Sequence, residues 1–357
     1  MEGIYDCKDF KKCSTFTCRD IGNNRMCKAE GVLCSGNTSR KNAETPEIVE
    51  EPKLKPEDAD GTFSIAVIPD TQQEVVVKHA IENKHFLNRT RWLAENKEEL
   101  DLRCVVHTGD VVNWGNEDRT QLEIASEAMS VLTAANIPTA LCLGNYDTAA
   151  VGVGGGAADA ANTRTRVRDT TAFNEYFTLD EYSRLRSQES GKIDNTILRF
   201  KAGGAKWMVV CLELWPREEI INWAKIQVEN RPDYNVIIAT HSFLKNDGTI
   251  LQNNGGYGAN SPQYLYDNLI KKYENIKFVL CGHTGTSFVR EDIGDNGNKI
   301  VTLLGAFHRN DKNPVKIVNI DVNNGKIDGY VYSPIDQHHM EQHDFSVEGL
   351  EFIKSQE

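Results

Sequence analysis

Five short apolar runs in this chain each stop at, or one or two residues short of, a side chain able to hold a cation, and this repetition constrains the fold most. The run 63–69 ends at Asp70, 103–107 leads to Asp110, 139–143 to Asn145, 235–240 to His241, and 277–281 to His283. Each run has the length and apolar content of a buried strand. Between them, 79–100, 119–135, 217–230 and 263–275 carry apolar residues at helical spacing, such as Ile81, Phe86, Leu93 and Leu100 among charged neighbours. A further strand is predicted at 206–212. Late β-runs at 299–304, 315–320 and 326–332 predict a second sheet packed on the first. Strands alternating with helices argue an α/β architecture.

In α/β sheets the carboxyl ends of strands line the ligand crevice. Asp70, Asp110, Asn145, His241 and His283 are therefore expected to converge on one edge. Gly109, Gly144 and Gly282 precede three of them, and glycine lets backbone approach closely. Taken singly, each residue has an ordinary role: an Asp after a strand caps a turn or helix, and a His hydrogen-bonds in the core. The five together, in this order, are the signal. Carboxylate, amide and imidazole ligands suit Mn, Fe or Zn rather than thiophilic metals.

Composition narrows the classes. The 357 residues are 39% apolar with a formal charge of −12 and no basic block, which disfavours a phosphate-tracking nucleic-acid binder. An acidic chain handles phosphate only where cations supply local positive charge. No apolar stretch is long enough for a membrane-spanning helix. Five of nine cysteines (Cys7, Cys13, Cys18, Cys27 and Cys34) fall in the first 38 residues among polar neighbours, so a disulfide-stapled module is expected there. Cys104, Cys142, Cys211 and Cys281 sit in apolar runs and are read as buried free thiols. The expected organisation is a Cys-rich module at 1–38, an acidic, proline-containing linker at 39–61, the main domain at 62–335 and a C-terminal tail at 336–357. Residues 1–5 open no apolar signal region, so the chain is read as a mature or trimmed form of a secreted, extracellular protein. The N-terminal module is read as a device for docking a protein or carbohydrate partner.

Asp70-Thr-Gln72, Gly109-Asp110, Gly144-Asn-Tyr-Asp147, the isolated His241 and Gly282-His283-Thr-Gly285 resemble the ordered blocks of calcineurin-like metallophosphoesterases. The Pro-Asp-Thr-Gln opening and the Gly-His-x-Gly block are similar to a secreted bacterial-type branch. The resemblance implies a four-layer α/β/β/α sandwich around two divalent ions. By position, Asp110 would bridge both ions. Asn145, His241 and His283 would complete one site, and Asp70 and Gln72 would contribute to the other. The implied activity is hydrolysis of a phosphomonoester or phosphodiester by a metal-activated hydroxide, with Asp110, Asn145, Tyr146, Asp147 and His241 catalytic. The substrate would be a phosphorylated small molecule or another phosphoester.

Three positions depart from the pattern. Gln72 stands where the family's Asp-x-His block has His, Gly285 where the last block has a second His, and Tyr146 where Gly-Asn-His-Asp has His. The second metal site is therefore expected to be the weaker one. A tyrosine, with a reference pKa of about 10, is a poor proton donor beside a histidine. Slow turnover, or leaving groups that need no proton, is expected. The alternative is a weakened or inactive relative that binds a phosphorylated or glycan ligand.

Secondary substrate-binding candidates are His107, Asn113, Arg217 and His308, each with a structural role as the competing reading. Glycine-rich loops at 152–156 and 255–258 are read as flexible rims or substrate lids. His338, His339 and His343 are read as part of a solvated tail.

Overall fold

The computed structural model describes residues 60–307 and 312–355 and three short N-terminal strands. The chain divides into two compact units, Met1–Glu50 and Glu51–Glu357. In the first, β1 (Cys18–Ile21), β2 (Asn24–Ala29) and β3 (Val32–Leu33) form an antiparallel sheet whose register sets Cys18 opposite Cys27. Cys7, Cys13 and Cys34, and nearly all of the expected linker, lie outside the described residues.

In the second unit the chain runs through β4 (Thr62–Ile68), α1 (Val77–Asn83), α2 (His85–Glu95), β5 (Leu102–His107), α3 (Arg119–Ala134) and β6 (Thr139–Leu141). It continues through α4 (Thr163–Arg166), α5 (Thr171–Asn174), β7 (Arg186–Ser187), β8 (Thr196–Ala202), β9 (Ala205–Leu212), α6 (Glu218–Glu229) and β10 (Asn235–Thr240). Then come α7 (Pro262–Asn268), β11 (Ile276–Cys281), β12 (Ser287–Ile293), β13 (Lys299–Gly305), β14 (Val315–Asp321) and β15 (Lys326–Ser333). The last strands are β16 (His338–His339) and β17 (Phe345–Glu348).

Two sheets result, ordered β12-β13-β11-β10-β9-β8-β7 and β16-β15-β14-β4-β5-β6. β4, β5 and β6 run parallel, as do β9, β10, β11 and β13. The parallel strands are apolar almost throughout because both their faces are covered; every residue of β10 and β11 is buried. The late β-runs do not form a sheet of their own. β12 and β13 extend the first sheet, while β14 returns antiparallel to β4 and β15 pairs antiparallel with β14 on its far side.

One core cluster joins residues of both sheets, including Ile65, Val67, Val209, Trp207 and Phe278, with Leu122, Met129 and Leu132 of α3. A second covers the other face of β9–β11 with Ile220, Ile221 and Ala224 of α6 and Leu265 of α7. α3 follows its signals: Asp118 accepts from the Thr120 N–H at 3.1 Å as N-cap, and the buried residues recur every three or four positions. The single helix expected over 79–100 is instead two, broken where Lys84 adopts φ 50°.

The segment beyond 335 is not a loose tail. β17 pairs with β15, Val347 and Leu350 are buried, and Phe352 packs on Trp207 at 5.5 Å between ring centroids. His338 and His339 are exposed, and His339 Nε2 lies 2.7 Å from Asp344 Oδ1. The four cysteines of the main domain are buried free thiols.

Candidate metal centre

The five strand-end residues come from both sheets. Asp70, Asp110 and Asn145 follow β4, β5 and β6, while His241 and His283 follow β10 and β11. The carboxyl edges of two sheets therefore meet at one place. Asp110, His241 and His283 each offer a ligand atom within 4.8 Å of the others. His241 Nε2 is 3.1 Å from Asp110 Oδ2 and 3.1 Å from His283 Nδ1. The His283 N–H donates to Asp70 Oδ1 at 3.1 Å, tying the two sheets' ligands together.

The close approach needs glycine at two positions above all. A Cβ on Gly144 would lie 2.1 Å from Asp110 Oδ1, and one on Gly109, at φ +100°, would lie 2.7 Å from His241 Nδ1. Asp110 and His283 themselves adopt φ 50° and 73°. Such backbone is uncommon outside glycine and concentrates at functional sites.

Among the described residues, Asp70 Oδ2, Gln72 Oε1 and Asn145 Oδ1 are buried acceptors without a hydrogen-bond partner. Leaving a buried acceptor unsatisfied costs roughly 1–3 kcal/mol, more for a charged one. A hard divalent cation satisfies carboxylate and amide oxygens together. His241 fits the same reading. Its Nδ1 lies 2.9 Å from the Thr108 carbonyl, which only accepts, so Nδ1 carries a proton and Nε2 is the ring nitrogen left to face a cation. That outer hydrogen bond is the usual support of a metal-ligating imidazole. The residues present thus fit a divalent metal.

Charge crowding agrees. Burial, with the Asp110 carboxylate adding to it against the pull of His241, pushes Asp70 up to about 7. Burial would also raise Asp110, but His241 outweighs it and holds Asp110 below the usual carboxylate range. Burial would lower His241, but Asp110 and Asp70 raise it to about 9. Acids and imidazoles this close share protons where a cation would otherwise supply the charge.

Other expected residues fall elsewhere. Asp147 is a brace: its two oxygens accept from the Val112 and Gly144 N–H groups at 3.0 and 2.8 Å, locking the Asp110 and Asn145 turns. His107 is fully buried. Its Nδ1 accepts from the Gly109 N–H at 3.1 Å, and Nε2 meets Thr71 Oγ1 at 3.0 Å, whose own proton goes to the Val111 carbonyl. Both ring nitrogens are thus used, so His107 supports the wall instead of touching substrate. Arg217 is spent on Glu213, through Nε and Nη2 at 2.9 and 3.0 Å, and on Glu219 at 3.0 Å. Asn113 is buried and its N–H donates to Gln121 Oε1, fixing the turn after Asp110. His308 lies outside the described residues.

Tyr146 is half-buried, and its N–H donates to Asp110 Oδ1 at 3.0 Å. Its hydroxyl reaches Gly155 in the 152–156 loop, which is the tip of a small hairpin bridged at Val151 and Ala157. At Gly285, φ is +71° and a Cβ would meet Asn246 Oδ1 at 2.1 Å. Asn246 therefore fills the space next to the missing side chain.

Sequence reasoning missed the support behind Asp70. The Asn313 side-chain N–H donates to the Asp70 carbonyl, and a fully buried Arg89–Glu74 ion pair grips the Asn313 backbone at both its N–H and its carbonyl. Asn313 stands 243 positions from Asp70, so no local pattern marks it.

The family model for calcineurin-like phosphoesterases matches residues 63–287. The chain belongs to the calcineurin-like phosphoesterase family. A curated relative, the uncharacterized protein YvnB of Bacillus subtilis, is 25% identical over 217 residues, 60% of this chain. The chain spans only 15% of that protein's length. Solved structures with a similar chain path include a dimetal phosphatase from Danio rerio, at 12% identity and TM-score 0.48, covering 80% of this chain and 98% of that one. Another is GAP50, the anchor in the inner membrane complex of Plasmodium, at 11% identity and TM-score 0.44, covering 82% and 90%. Among the described residues of this phosphoesterase, no helix is long and apolar enough to cross a membrane.

Proposed function

We propose that this calcineurin-like phosphoesterase hydrolyses a phosphoester at a centre for two divalent ions, Mn, Fe or Zn, within a four-layer α/β/β/α sandwich. Asn145, His241 and His283 would hold one ion, Asp70 and Gln72 would contribute to the other, and Asp110 would serve both. The observation that carries this reading is the set of unpartnered buried oxygens on Asp70, Gln72 and Asn145 around the Asp110–His241–His283 cluster. Divalent ions bound there neutralise phosphate charge and lower the pKa of water toward neutrality.

The chain's own residues supply position and charge. Asp147 and Asp110 lock the turn that carries Asn145 and Tyr146. Thr108 orients His241, and Asn313 anchors the Asp70 block. In the reaction, a water oxygen bonds to phosphorus and releases its proton to solvent as the ester P–O bond breaks. The electron pair leaves on the departing oxygen, which takes its proton from solvent or from Tyr146. Hydrolysis of bis-p-nitrophenyl phosphate with added Mn²⁺, lost in Asp110→Asn, is the expected result. Metal binding without turnover would overturn the hydrolase reading.

A second reading is a weakened relative that holds a phosphorylated or glycan ligand. Asn246 packed against Gly285 favours it, since that space cannot host a further ligand. An extracellular setting is proposed on the five N-terminal cysteines alone.

A further inference from the structure

His283 faces two different environments. Toward the centre it meets His241, with ring centroids 4.9 Å apart; on its other side it meets Trp215 edge to face at 5.8 Å and 84°. Trp215, Leu244, Leu251 and Tyr257 wall a cleft of about 440 Å³ that opens beside His283 and Thr284. Small-molecule sites are of this size, apolar with a few polar groups.

The Trp215 wall is built with care. Its backbone adopts φ 44°, a genuine outlier for a bulky residue. Arg168 donates to the Leu214 and Trp215 carbonyls at 2.8 and 2.7 Å and pairs with Glu213 at 3.2 Å. The 255–258 loop is not a free lid but a saddle for the indole: a Cβ on Gly255 or Gly258 would lie 2.2 or 2.4 Å from Trp215. Tyr257 packs edge to face on the same ring at 5.0 Å. Burial first, then Asp110 and Tyr146, raise the Tyr257 hydroxyl, so this wall lies within electrostatic reach of the centre.

Packing alone explains a buried indole, but not this one. Trp215 is 2% exposed, and its Nε1–H has no acceptor among the described residues. Buried indole N–H groups ordinarily find one. A strained backbone and a tailored loop that hold an aromatic wall beside an apolar cleft describe a receptor for a flat apolar group.

Building on the phosphoesterase reading, we propose that the cleft walled by Trp215, Leu251 and Tyr257 beside His283 receives an aromatic ester group, making aromatic phosphoesters the preferred substrate class. An aromatic alcohol also leaves without strong help from a proton donor, in keeping with Tyr146 at the site.

The test uses the full chain loaded with Mn²⁺ and, in parallel, the metal-free chain. Phenylphosphonate and methylphosphonate, neither of which is hydrolysed, are titrated by calorimetry. Phenylphosphonate is expected to bind the loaded protein at least about tenfold more tightly. That ratio should fall toward one in Leu251→Arg, which fills the cleft from a half-exposed wall, and in Tyr257→Ala. Equal affinities, no binding of phenylphosphonate, or a ratio that survives both variants would each overturn the proposal. A preserved ratio in a protein that hydrolyses nothing sinks the hydrolase reading and leaves the cleft standing. Hydrolysis with a ratio of one does the reverse.

Discussion

His241 Nε2 lies 3.1 Å from Asp110 Oδ2 while its other nitrogen is fixed on the Thr108 carbonyl. The imidazole therefore has one orientation, with Nε2 turned toward the carboxylate that would share its cation. Asp110→Asn should weaken Mn²⁺ binding beyond the roughly 10–100-fold typical of an outer-shell partner. Calorimetric titration measures it, and parental affinity in the variant would contradict the assignment.

Behind Asp70, the Arg89–Glu74 pair is completely buried. Arg89→Met leaves Glu74 as an uncompensated charge, so unfolding free energy should drop by about 3–5 kcal/mol. The double variant Arg89→Met/Glu74→Leu should recover much of that loss. Urea denaturation of all three variants decides; additive losses would argue against the pairing.

Gly285→His would not rebuild a ligand. Its backbone φ of +71° costs an L-residue roughly 1–2 kcal/mol, and Asn246 Oδ1 stands 2.1 Å from the new Cβ. The variant should melt at a lower temperature and carry no more metal per chain than the parent. Elemental analysis showing an extra ion would refute this.

Tyr146 is a weak acid made weaker: burial first, and then Asp110, raise its pKa above 10. Tyr146→His should speed an alkyl phosphate ester by up to about 10²–10⁴-fold, the usual range for general-acid help. An aryl ester should gain less. Steady-state rates on the two esters compare them, and no gain on the alkyl ester would count against this role.

Lys316 reaches the Leu304 carbonyl from β14 and is fully buried, which lowers its pKa to about 8. Below pH 8 both folded and unfolded chains carry the proton, and the folded state bears the whole cost of the buried charge. Between pH 8 and 10.5 the unfolded chain binds more protons, so this cost fades as pH rises. It amounts to roughly 3 kcal/mol at about 1.36 kcal/mol per pKa unit. Lys316→Met should therefore be most stabilising, relative to the parent, at pH 7, with the difference shrinking toward pH 10. Thermal melts across that range report it; a pH-independent difference would rule it out.

Sequence patterning located β4, β5, β9, β10, β11 and β13–β15 to within a residue or two, because near-continuous apolar runs, or in β15 a strict alternation, read as strands. It missed β8, β12 and β17, whose short apolar runs are interrupted by charged or polar residues. At the site, the Asp and His ends of strands were legible as types in order. Their partners were not: Thr108 acts through a carbonyl, Asn313 from the far end of the chain, and Trp215 from a strained turn.

The order of strands and the donor atoms at their ends are properties of the chain itself, since hydrophobic period and ligand chemistry are local. Which sheet each strand joined, and that two sheet edges meet so that Asp70 touches His283, belonged to the tertiary structure alone. Contacts between residues 213 positions apart arise only once both sheets have buried their common face, and no local propensity encodes them.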